Sequence, residues 1–350
     1  MRSARAPTCR APTSGSSVRV KRDILRRSSV GLIATARSKA QVQSGSNQVF
    51  GVDGTFAFFN NLTLAGYYAK SWSQDLRDDD TSCRAQMEYG GDRYGFQLER
   101  LSIDRNFNPE VGFLRRSDLR KNFALLRFSP RSTRIKRVRK FSSIGQFTYI
   151  EDSAGRVSTR ISDGEFAVEF QNSDRLAAGI NDDYELLTRP FTVLPGARVP
   201  TGGYQFTTAR LGYTLGQQRR LSGSVLAERG SFYGGDRTTI TYNRSRFNVS
   251  PRLSMEPNVS LNWIALPSGS YSARLVGGRG TFTVTPLMFA SALVQYNSST
   301  HSVSANARLR WEYRPGSELF VVYNEERDNA APSSLPGLLN RSFETRGPAG

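Results

Sequence analysis

The chain has little of what metal and acid–base chemistry usually requires. Its 350 residues contain two cysteines and one histidine. Two cysteines cannot staple a fold of this size. One histidine excludes a multi-histidine metal site and leaves little room for histidine catalysis. Lysine is scarce too: only Lys21, Lys39, Lys70, Lys121, Lys136 and Lys140 are present, so arginine supplies most of the 48 basic residues. No apolar run approaches the roughly 18 residues of a membrane-spanning helix. Residues 1–17, MRSARAPTCRAPTSGSS, lack an apolar segment and do not form a secretory signal peptide. They are expected to be a disordered tail.

What is present is enough to fold. Leu, Ile, Val and Phe are too frequent for a fully disordered chain. By length alone, about two or three ordinary domains would be expected, although all-β barrels run long as single units. The net charge of +18 first raises the possibility of a nucleic-acid partner. The arginines are scattered through the chain, however, and do not form one patch.

The dominant signal is a period of two. Val303, Ala305, Ala307, Leu309, Trp311 and Tyr313 alternate with Ser302, Ser304, Asn306, Arg308, Arg310 and Glu312. Successive side chains of a strand point to opposite faces, so this segment carries one apolar and one polar face. The same alternation runs through Leu221–Val225–Ala227, Val259–Leu261–Trp263, Phe166–Val168–Phe170 and Met288–Val294–Tyr296. In the N-terminal half it appears near Thr55, Leu62, Ile103 and Phe123. Turn residues such as Asp152-Ser153-Ala154-Gly155, Gly234-Gly235-Asp236, Pro267-Ser268-Gly269 and Arg314-Pro315-Gly316 separate the runs. Strand, turn and strand follow one another without helical spacing, which predicts antiparallel hairpins. About sixteen strands are expected.

Two all-β architectures share this signature, a transmembrane barrel and a soluble sandwich or propeller. Three features favour the barrel. The runs are long, their polar faces carry Arg, Glu, Asn and Ser, and aromatics gather near strand ends, as at Tyr67-Tyr68 with Trp72 and at Phe232-Tyr233. Closure would also remove the exposed edges of so large a sheet. The reading is an all-β, antiparallel, up-and-down transmembrane β-barrel of the outer-membrane type. It would occupy residues 18–343, with a disordered tail over residues 344–350. Residues 71–82, 174–202 and 324–340 are expected to be long loops.

Several stretches carry a resemblance. RVKRDILRRSSVGLIATAR (residues 19–37) precedes NQVFGVDGTFAFFNNLTLAGYYAKS (residues 47–71). FNPEVGFLRRSD (residues 107–118) and RLRWEYRPGSELFVVYNEERD (residues 308–328) follow. Together they resemble the C-terminal region of bacterial proteins in the domain of unknown function family 5916, over residues 19–341. The resemblance implies an outer-membrane β-barrel downstream of a periplasmic carbohydrate-binding module of the family-9-like type. It also implies recognition of a closing strand by the barrel-assembly machinery. Against that pattern, this chain lacks the signal peptide and the module, and ETRGPAG follows Phe343 in place of a closing strand. A fragment of a longer protein is therefore expected.

Local chemistry is thin. Asp75, Asp78, Asp79 and Asp80 could offer oxygen to calcium, but they lack the ligand spacing and turn glycine of an EF-hand loop, and a solvated acidic loop explains them better. Arg131, Arg134, Lys136, Arg137, Arg139 and Lys140 form a basic run. Between two strand patterns it reads as a turn facing anionic lipid and not nucleic acid. His301 has no elbow motif beside it. Glu165 and Glu169 share one strand face, where acids balancing nearby arginines explain them as well as an opposed catalytic pair does. Gly277-Gly278-Arg279-Gly280 lacks the GK[ST] of a phosphate loop. Cys9 and Cys83 are too separated for metal or redox chemistry.

These observations predict a non-enzymatic bacterial outer-membrane barrel without cofactor or metal, which anchors or translocates. Arg308, Arg310, Glu312, Arg274 and Glu169 are expected to face its lumen. Its expected partners are outer-membrane lipid and lipopolysaccharide, the assembly machinery, and an anionic or saccharide solute. A soluble glycan-binding protein and an outer-membrane hydrolase are the alternatives.

Overall fold

The computed structural model describes residues 15–38, 45–73, 78–194 and 197–328. These residues are all-β and contain no helix. Eighteen strands belong to one antiparallel, up-and-down sheet, and two short strands form a separate hairpin. Among the described residues no ladder pairs β1 (Gly15–Ile24) with the last strand of the sheet. Cys9, Asp75 and the segment after Asp328 lie outside the described residues.

The chain divides into two compact units, Met1–Phe128 with Ile144–Ser162 and Ser129–Ser143 with Asp163–Gly350. The first holds β1 (Gly15–Ile24), β2 (Ser28–Arg37), β3 (Asn47–Phe58), β4 (Leu62–Ser73), β5 (Thr81–Gly90), β6 (Tyr94–Ile103) and β7 (Leu119–Phe128). Each pairs with the next in unbroken register from Gly15↔Arg37 to Tyr94↔Phe128. Three-residue turns at 25–27, 59–61 and 91–93 close one end. Longer connections, including residues 104–118, close the other. That last connection carries the FNPE motif and folds back onto the strands. Phe107 packs with Val49 and Ile103, and Asn108 N–H donates to Ser71 Oγ at 3.1 Å. Asn47, wholly buried, donates from Nδ2 to Asn108 O at 2.8 Å.

β8 (Val138–Glu151) and β9 (Val157–Phe170) follow. The second unit continues with β10 (Arg175–Leu187), the hairpin β11 (Phe191–Leu194) and β12 (Ala197–Val199), and β13 (Gly202–Leu215). Then come β14 (Leu221–Phe232), β15 (Gly235–Asn248), β16 (Leu253–Leu266), β17 (Gly269–Thr285), β18 (Met288–Asn297), β19 (Ser302–Arg314) and β20 (Ser317–Asp328). Neighbours pair antiparallel from β10–β13 to β19–β20. The last turn shows how the sequence sets the hairpin. Arg314 pairs with Ser317, proline presets φ at 315, and Gly316 takes φ +80°, which a side chain disfavours.

The eighteen strands of the sheet lie within two of the sixteen expected. Several other expectations need correction. Gly15, Ser16 and Ser17 are not tail but the start of β1. Residues 71–82 hold the end of β4 and the start of β5, and residues 324–328 belong to β20. Within 174–202, β10 occupies the first half, because Asn181-Asp182-Asp183 puts polar groups on both faces and hides the alternation.

Candidate functional site

The ladders sort the side chains of each unit into two faces of opposite chemistry. In the first unit one face presents Val20, Leu32, Val52, Tyr68, Leu98 and Leu126, all exposed. The other presents Lys21, Asp53, Tyr67, Arg84 and Lys121, which follow one another in register across β1, β3, β4, β5 and β7. The second unit repeats this. Leu211, Val225, Ile240, Trp263, Val294 and Trp311 are exposed on one face. Arg210, Glu228, Thr239 and Asn262 line the other, in register across β13 to β16. Among the described residues the fully buried large side chains are Asn47, Asp174, Ser71, Ser82 and Ser129, all polar. This inverts the arrangement of a water-soluble sheet, whose apolar face packs inward.

The acids of the polar face are largely paired with its arginines and lysines. In the first unit Glu99 is buried and accepts from Arg84 Nε at 2.8 Å and from Lys121 Nζ at 2.9 Å. Tyr67 and Ser82 share a hydrogen bond of 3.0 Å. Asp53 on β3 passes over β2 to accept from Arg19 on β1 at 2.9 Å. A Cβ added to Gly31, on the strand between, would lie 2.7 Å from Asp53 Oδ1. The second unit uses the same device. Arg210 on β13 crosses Gly179 on β10 to meet Asp163 on β9 at 2.5 Å. Glu165 accepts from Arg175.

Four of the five expected lumen residues share the polar face of the second unit. Arg308 stands opposite Ser291, and Arg310 opposite Phe289. Arg310 pairs with Glu318 and lies 5.9 Å from the Phe320 ring, which Arg308 approaches at 5.0 Å. Glu312 accepts from Gly316 N–H at 3.3 Å. Glu169 sits on the same face of β9 as Glu165 and meets Arg139 at 3.2 Å and Lys140 at 3.7 Å. Arg274 is the exception. It stands opposite Leu261 and shares the apolar face with Val276, within β17 and beside the β18–β19 turn. Arg279 takes the polar position instead, opposite Glu256.

Other sequence candidates find ordinary places. Glu165 and Glu169 are each held by basic partners and do not form an opposed pair. Gly277-Gly278-Arg279-Gly280 lies inside β17 and not in a loop. His301 occupies a turn with φ +52°. Cys83 is exposed on the apolar face of β5, opposite Tyr68. Asp80 is buried against Lys70 at 3.4 Å. No group of three His, Cys, Asp or Glu gathers as a metal site among the described residues.

Sequence reasoning missed the polar networks that tie the turns. Asp174, buried between β9 and β10, accepts from Gly216 N–H and from the Tyr213 hydroxyl, both at 2.8 Å, and from Arg219 Nη2 at 2.6 Å. Burial would raise its carboxyl, but these donors outweigh that and hold it below the usual carboxylate range. Asp118 behaves likewise, with burial outweighed by the Ser153 backbone and hydroxyl and by Arg105. Asp152 is lowered first by the Arg156 backbone N–H. Tyr233, in the β14–β15 turn, is pushed up to about 12 by burial and by its hydrogen bond to Glu185. Tyr233 also stacks edge-on with Phe191, Tyr204 and Phe206, which pins the β11–β12 hairpin to the strand ends.

On the polar face some buried atoms find no protein partner among the described residues: Asn181 Oδ1, Asp183 Oδ1, Thr241 Oγ1 and Arg310 Nε. Buried polar atoms of this kind call for water or a polar solute. No family model and no curated protein matches this chain.

Proposed function

We propose that the chain is an outer-membrane β-barrel domain that anchors, or passes a polar solute, and is not itself an enzyme. The observation that carries this reading is the inverted polarity of each unit, with large apolar side chains exposed while Ser, Asn, Asp, Glu and Thr supply most of the buried positions. In hydrocarbon every backbone group must pair within the protein, which strands achieve only in a closed sheet. The proposal therefore includes closure into a barrel, with apolar residues toward lipid and polar residues toward a wet lumen. Strands of ten to seventeen residues in the sheet are long enough to span with tilt.

The resemblance to the C-terminal region of family 5916 supports the same location, the bacterial outer membrane. It also supports a saccharide delivered by a periplasmic module as cargo, and the assembly machinery as a partner. The chemistry of the polar face fits passage better than catalysis, because its candidate carboxylates are already held by arginine or lysine. Arg308 and Arg279 have no acidic partner within ion-pair distance among the described residues, and fixed positive charge in a lumen favours anions.

Conductance across a planar bilayer tests the pore form of the reading. The refolded full chain should conduct and prefer anions. Cation preference, or silence, would leave only the anchoring role.

A further inference from the structure

One end of the second unit gathers cations that no acid balances. Its turns are joined edge to edge by hydrogen bonds. Gln171 N–H donates to Arg137 O at 3.0 Å, Gln218 Nε2 donates to Asn172 O, and Asn248 N–H donates to Arg220 O at 3.0 Å. The first turn, ahead of β8, exposes Arg134, Lys136 and Arg137. The next ones expose Arg220, Arg246 and Arg252. None of these six makes an ion pair among the described residues. Beside these turns Asp174 is already committed to Arg219, and Glu169 to Arg139 and Lys140.

The same turns and strand ends expose apolar side chains. Ile135 stands between Arg134 and Lys136, and Leu221, Phe247 and Val249 follow Arg220 and Arg246. A nucleic-acid groove has no use for apolar residues dispersed in this way. A band of cations bordering exposed aliphatic and aromatic groups matches the boundary where phosphate headgroups meet acyl chains.

We infer that this rim is a binding surface for the phosphates of anionic lipid headgroups, and that it selects anionic over zwitterionic lipid. The inference rests on the membrane reading for its geometry, but its chemistry is testable separately. Each basic side chain near an anionic surface adds attraction that salt weakens.

The full chain would be refolded into vesicles of phosphatidylcholine mixed with phosphatidylglycerol, extracted gently, and its retained lipids weighed by native mass spectrometry. Two variants accompany it, R134S/K136S/R137S and R220S/R246S/R252S. The parent should retain phosphatidylglycerol in preference to phosphatidylcholine. Each variant should lose about tenfold of that preference, and high salt should erase it. Equal retention of both lipids by the parent, or an unchanged preference in both variants, would overturn the inference. So would tight binding of an oligonucleotide with no lipid preference. Extraction by alkaline carbonate separates the two claims. A chain that carbonate strips off, yet that floats only with phosphatidylglycerol vesicles in a manner lost in the variants, keeps the rim and ends the barrel reading. A chain that resists carbonate but shows no lipid preference does the reverse.

Discussion

Asp53 reaches Arg19 across an entire intervening strand, at 2.9 Å, because Gly31 leaves the space its side chain would fill. Asp53 and Arg19 are both partly exposed, so the pair itself contributes about 0–1 kcal/mol. Glycine inside a strand costs about 0.5–1 kcal/mol relative to alanine. The two effects nearly offset, which makes the context of Gly31 measurable. Gly31→Val should destabilise by about 1–2 kcal/mol, since its methyl groups would displace Asp53. In an Asp53→Ala background the same change should be neutral or stabilising. Urea unfolding in one lipid or detergent would decide it, and equal costs in both backgrounds would contradict the account.

Glu99 makes an asymmetric triad with Arg84 and Lys121. The carboxylate is 7% exposed, whereas the two cations are 38% and 29% exposed. Removing the acid leaves cations that still reach water. Removing the cations strands a buried anion. Glu99→Leu should therefore cost about 1–2 kcal/mol, and the double change Arg84→Met with Lys121→Met about 3–5 kcal/mol. The reverse order in equilibrium unfolding would refute this ranking.

Asp174 should make its turn acid-sensitive. Its folded carboxyl lies below the ordinary value, so its stabilisation is complete above the unfolded pKa of about 3.9. That stabilisation is lost as pH falls through the lower folded value. Hydrogen exchange at the Gly216 amide reports this bond directly. Protection should hold at pH 5 to 7 and collapse only below about pH 4, and Asp174→Asn should weaken it at every pH. Protection that declines near pH 6 would point to another group.

Much of the fold was legible because alternation is a local property. Val303 to Tyr313 announced β19, and the structure keeps the faces as the sequence spaced them. Arg274 was misplaced for a physical reason. Around it the local alternation points the other way: Tyr271, Ala273 and Leu275 read as the apolar face and Ser272 with Arg274 as the polar one, although further along Val276 shares the face of Arg274 and Arg279 that of Leu275. Only the neighbours Trp263 and Val294 assign the faces, and they come from other strands. β10 hid for a related reason, since Asn181, Asp182 and Asp183 are consecutive and polar. The crossings of Asp53 over Gly31 and of Arg210 over Gly179 join residues far apart in the chain, so no local pattern could announce them.

All three tryptophans, Trp72, Trp263 and Trp311, stand on the apolar face and are 48%, 41% and 44% exposed. They make the central claim testable without any substitution. Intrinsic fluorescence of the refolded chain should be quenched strongly by lipids brominated in their acyl chains and weakly by aqueous acrylamide. Strong acrylamide quenching, with none from brominated lipid, would place the apolar face in water or against protein and contradict the membrane reading.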